Sequence, residues 1–278
     1  MTGYIWLALA GALVIGLHDD DLTKKEHARL VGVWSFTLVE VDGKKQPQVP
    51  FATNKMILAT DGSYAVVQGP RVTRGTLKLD STKEPKHYDP TIMTGRLKGL
   101  SVPGIYQLED DTLTICLPLR SKDRPAVLAS KPGSGLMLQI FKREKQSVKE
   151  AMVEAGRLEL AGTWQAVSYS LDGNKASDED MKNIQLVFEA NGKTRALRDG
   201  QVFIASTTTI DPSSNPMTID MTYTEGDPKG RTALGIYKIE DDLLTICRAA
   251  PDKPRPDAFA SKPGSGHTLM TYKREKAK

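Results

Sequence analysis

Two acidic tripeptides, Glu109-Asp110-Asp111 and Glu240-Asp241-Asp242, sit inside near-copies of one segment. That segment reads GIYQLEDDTLTIC at 104–116 and GIYKIEDDLLTIC at 235–247, with ten of thirteen letters alike. General acid–base chemistry needs two carboxyls in different environments, one with a raised pKa, usually in a cleft. A calcium-binding tip is a second use for such a cluster. Asp is also favoured in turns, where its side chain bonds its own backbone. The alternating runs on either side read as two strands, so the acids fall at the wet, convex tip of a hairpin. A turn is therefore favoured over calcium or catalysis.

SKPGSG at 130–135, repeated at 261–266, looks like a phosphate cradle. A cradle of that kind delivers its anion to a helix N-terminus, whereas here the loop leads into LMLQIFKR and HTLMTYKR, which read as strands. A turn before the last strand is the favoured reading. Ser134 and Ser265 lack the G-x-S-x-G elbow of a serine hydrolase. His18, His27, His87 and His267 are scattered, without the tight local spacing of zinc ligands. No metal, cofactor or catalytic residue is assigned. The Arg-Pro steps at Arg124 and Arg255 read as extended segments fixed by proline, each with a loop-mouth arginine free in principle to meet an anion.

The elements that carry these residues come in two sets. LVGVWSFTLVEVDGKK at 30–45 answers LAGTWQAVSYSLDGNK at 160–175 at an offset of 130, while from the GIY segment onward the offset is 131. One inserted residue separates the copies. Each copy is too long for a solenoid unit and long enough to bury its own core. The chain reads as two tandem domains, 28–145 and 158–275, joined by a helical linker at 146–157 and preceded by a polar lead-in helix at 18–27. Inside each copy the hydrophobic period is two, with strand-to-turn passages at Asp42-Gly43 and Asn191-Gly192. Seven or eight strands per copy, with no long helix, make a meander that closes into a small barrel and so removes its edges.

Residues 1–17 carry no charged side chain, and their apolar run of about 14 residues suits a secretory signal better than a span of about 20. A cleaved signal or a short uncleaved anchor is expected, placing the body in the periplasm or cell envelope. Contact with a membrane is then confined to that segment. Cys116 and Cys247 hold equivalent places in the two copies, where two separate cores cannot share one bridge; two buried free thiols are expected. With 39% apolar and 26% charged residues the composition is that of a folded globular protein. A net charge of +4, with FKREK and YKREK at strand ends, offers no concentrated basic face for nucleic acid.

The ordered series L-x-G-x-W, D-G-K or D-G-N, G-I-Y, L-T-I-C, R-P and S-K-P-G-S-G ending in K-R occurs twice. It resembles a lipocalin-like domain family of unknown function, often met in planctomycete proteins. The resemblance implies an all-β fold of two tandem small antiparallel lipocalin-like β-barrels. It also implies that Trp34 with Arg143, and Trp164 with Arg274, close one end of each barrel. It carries no activity. The first expectation is a non-catalytic exported protein that binds a small apolar ligand, with Trp34, Tyr106, Trp164 and Tyr237 as interior ligand contacts. The alternatives are an adaptor with filled barrels that binds an envelope protein, and, third, a hydrolase.

Overall fold

The chain, seen in a computed structural model that describes residues 15–47 and 54–275, is built mostly of antiparallel strands. Helix α1 (Ile15–Leu30) leads into β1 (Gly32–Val41), β2 (Lys44–Lys45), β3 (Lys55–Leu58), β4 (Ser63–Gln68) and β5 (Arg71–Asp80). β6 (Lys86–Ile92), β7 (Gly104–Glu109), β8 (Thr112–Pro118) and β9 (Leu136–Arg143) follow. Helix α2 (Val148–Leu160) begins the second set, with β10 (Gly162–Leu171), β11 (Asn174–Lys175), α3 (Asp178–Met181), β12 (Ile184–Phe188) and β13 (Lys193–Arg198). It ends with β14 (Gln201–Asp211), β15 (Met217–Glu225), β16 (Thr232–Glu240), β17 (Leu243–Ala249) and β18 (His267–Arg274).

Each set is a meander closed by pairing of its first and last long strands, β1 with β9 and β10 with β18. Eight strands form each ring, and the two-residue β2 and β11 pair only with the far ends of β1 and β10. Closure leaves no long exposed edge. The first strand slips register between Phe36 and Leu38, and its counterpart between Ala166 and Ser168, a bulge that bends the strand over the barrel end. The acidic tips are turns, with Asp110 at φ 48° and Asp241 at φ 55°. Asp111 Oδ1 accepts from Arg143 Nε at 3.1 Å, which occupies a carboxylate in holding the last strand.

The expected linker is a longer element than its sequence signal, running to Leu160, and it is packed on both sides. Ser147 caps it in a capping box with Glu150. Ala151, Met152 and Ala155 bury against Val33, Ile57, Ala65, Val67 and Val72 on the outer face of the first barrel. Strands β3 and β4 are apolar on both faces for that reason. On the other side a Cβ at Gly156 would lie 2.8 Å from Ile210 Cδ1 of the second barrel, so glycine lets the helix approach. Arg74 of β5 reaches Glu159 at 2.9 Å and ties the first barrel to the helix end.

The lead-in helix spans more than residues 18–27, since α1 reaches Leu30. The leader expected over 1–17 lies outside the described residues but for its last three, which open α1. Among the described residues no helix is long and apolar enough to cross a membrane. Both cysteines are free and buried, and burial raises each thiol pKa.

Candidate functional site

The two rings share a closed end built the same way. Trp34 Nε1 donates to Leu30 O at 2.9 Å, and Trp164 Nε1 to Leu160 O at 2.7 Å. The guanidinium of Arg143 lies 4.1 Å from the Trp34 ring centre and that of Arg274 lies 3.9 Å from Trp164. Each arginine also donates to carbonyls at the end of the helix before its barrel, Arg143 to Val31 and Arg29, Arg274 to Ala161 and Glu159. The last carbonyls of a helix lack partners and carry partial negative charge, so a cation there satisfies both needs. Cation–π contact adds about 0.5–2 kcal/mol depending on burial. Glycine in G-x-W leaves room: a Cβ on Gly32 would sit 2.7 Å from Arg143 Nη1.

The interiors differ. In the first barrel large side chains fill the lumen: Phe36 and Phe141, partners on β1 and β9, have ring centres 4.5 Å apart, Tyr88 and Tyr106 on the neighbouring β6 and β7 are 6.1 Å apart, and Tyr88 Oη donates across the barrel to Met56 Sδ at 3.4 Å. Strand register gives the counterparts in the second barrel. Ala166 stands for Phe36, Thr194 for Tyr64, Thr208 for Leu77 and Ile219 for Tyr88. All four exchanges remove bulk. Two of them bring hydroxyls, and Thr194 and Thr208 bond each other at 2.8 Å in the buried wall.

One exchange is coupled. Tyr64 lies directly across from Gly75, and a Cβ on Gly75 would come within 2.5 Å of the Tyr64 ring and 2.2 Å of Thr91 O. The second barrel carries Thr194 across from Ser206 at that station. The Thr91 carbonyl and the ring both demand a bare residue at Gly75; in the second barrel the ring is gone and the β14–β15 ladder shifts register beside Ser206, which carries a side chain.

The second barrel holds a cavity of about 640 Å³, within the range of about 300–1,000 Å³ typical of small-molecule sites, and of the four exchanged residues Thr194 lines it. Ile184, Leu186, Ala196, Met221, Ile246 and Met270 supply apolar wall. Tyr169, Tyr223 and Tyr272 add aromatic surface, and Tyr272 Oη donates to Met270 Sδ at 3.0 Å. Burial raises the Tyr272 pKa and keeps it neutral at ordinary pH. Around the opening stand Glu179, Asp180, Asn183, Arg198, Asp199 and Arg248. Phe203 lines it too, and it is the inserted residue: Ala196 pairs with Ile204 and Leu197 with Val202, leaving Phe203 as a bulge. The change of offset announced one extra residue; only the ladder places it at the mouth.

Trp34, Tyr106, Trp164 and Tyr237, expected as interior ligand contacts, are 0–1% exposed inside their barrels. Trp164 and Tyr237 do not line the cavity, but each pairs across a ladder with a residue that does, Leu186 and Ile246 respectively. Arg124 and Arg255, expected at a loop mouth, are tied inward. Arg124 holds Asp89 through two bonds of 2.5 and 3.0 Å and also donates to Gly104 O. Arg255 does the same with Asp220, at 2.6 and 3.1 Å, and with Gly235 O. The SKPGSG loop locks onto the first hairpin: Gly43 N donates to Ser130 Oγ at 2.9 Å and Gly135 N to Asp42 Oδ1 at 2.8 Å. Ser261, Gly173, Gly266 and Asp172 repeat the lock in the second copy.

No family model matches the chain, and no curated protein matches it. Among solved structures it is similar to a protein of unknown function of the DUF3598 family from Nostoc punctiforme. The identity is 12%, the match covers 91% of this chain and 99% of that one, and the TM-score is 0.24, a value on which no argument is built.

Proposed function

We propose that this is a non-catalytic binding protein with divided labour: the second barrel holds a small, largely apolar ligand, and the first is a packed scaffold. The observation that supports this reading is the cavity of about 640 Å³, lined by Thr194 at the station where the first barrel carries Tyr64. Export to the cell envelope belongs to the same proposal and draws on the apolar run at 1–17.

Native mass spectrometry of the full chain, purified from its own cells under conditions that keep lipids bound, tests the division. One adduct per chain, removed by organic extraction, is expected. A bare polypeptide mass, or two adducts per chain, would overturn it.

A further inference from the structure

Arg248 lies on β17 two residues beyond Ile246, and the period of two that points Leu244 and Ile246 inward carries its side chain to the cavity. In the first barrel the same station is Leu117, packed against the core. The guanidinium of Arg248 rests 5.8 Å from the Tyr223 ring centre, and among the described residues no carboxylate pairs with it. Of the three acids at the opening, Glu179 pairs with Lys182 at 2.7 Å and Asp180 closes a capping box with Ser177, while Asp199 forms no ion pair among the described residues, with Arg248 or any other cation. Arg198, also at the opening, stacks 5.2 Å from Phe203 and likewise has no ion-pair partner among the described residues.

A half-buried arginine at an apolar cavity, without a counter-ion, retains donors in a fixed fork suited to carboxylate, sulfonate or phosphate oxygens. Resting on the reading that the second barrel binds a ligand, we propose that its ligand is a small amphiphilic anion. The apolar body fills the wall of Met221, Ile246 and Met270, and the acidic head pairs with Arg248, with Arg198 adding positive potential at the rim.

The test compares two fluorescent probes with the same anilinonaphthalene body, uncharged N-phenyl-1-naphthylamine and the sulfonate 1-anilinonaphthalene-8-sulfonate, titrated into the full chain. The sulfonate is expected to bind about tenfold or more tighter, the scale of a charge-assisted hydrogen bond. Arg248→Leu, which installs the residue of the first barrel, should erase that preference while leaving the uncharged probe bound; Arg248→Lys should retain part of it. Equal affinity for the two probes, or a preference unchanged in Arg248→Leu, would overturn the anionic head and leave the cavity reading standing. Failure of both probes to bind would overturn the cavity reading with it.

Discussion

Refilling the second barrel with the residues of the first should abolish its binding, and the structure says that two substitutions are needed. Thr194→Tyr alone puts a ring beside Ser206, where the first barrel tolerates its ring only across from Gly75. Overpacking of that kind costs about 1–3 kcal/mol. Ser206→Gly alone places glycine inside a strand, at about 0.5–1 kcal/mol. Together they recreate the Tyr64 and Gly75 pair, so the double variant should be more stable than the sum of the singles by about 1 kcal/mol or more. Hydrogen exchange of β13 and β14 reads the stability of this barrel separately from its neighbour. Titration with N-phenyl-1-naphthylamine reads the cavity. Binding lost in the double variant, with exchange protection near wild type, is expected. Effects that add within about 0.3–0.5 kcal/mol, or a folded double variant that still binds the probe fully, would refute the coupling and the location of the site.

Arg255→Ala should loosen the second barrel by about 1.5–3 kcal/mol, since it strips a buried-edge carboxylate, Asp220, of two charge-assisted bonds. Faster exchange confined to β15–β17 checks it, and unchanged exchange there would show that the bidentate pair adds nothing. The thiols of Cys116 and Cys247 should resist an aromatic disulfide reagent in the native state and react together on unfolding, because burial raises both pKa values; rapid modification of either in the folded protein contradicts the packing. Alkali should unfold the protein from about pH 10 upward. Burial pushes Tyr64 up to about 12 and raises Tyr88, Tyr106, Tyr237 and Tyr272 as well, each preferring its neutral form when folded. Stability from these groups is whole below the unfolded tyrosine pKa of about 10 and is lost as pH rises through the folded values. A falling thermal midpoint above that pH, with tyrosinate absorbance developing only as the fold opens, is the outcome; free titration of all eight tyrosines near pH 10 with the fold intact would contradict it.

Much of the architecture was legible in the sequence because the forces that set it are local. Period-two alternation, the Asp-Gly turns and the acidic tips specify hairpins over a few residues, and duplication marks the folding unit twice. The pairing of Trp34 with Arg143 came from a resemblance, and geometry added what the arginine holds, the helix carbonyls of Arg29 and Val31. The candidate site was not legible. Thr194, Ala196, Met221 and Met270 come from separate strands, and nothing in the sequence joins them until register and closure bring all four to one cavity wall. Arg248 reads on its own as an arginine in a strand. Its meaning depends on which side of the wall it faces and on which carboxylates are already taken, and those are properties of cross-strand distance, which only closure of the barrel decides.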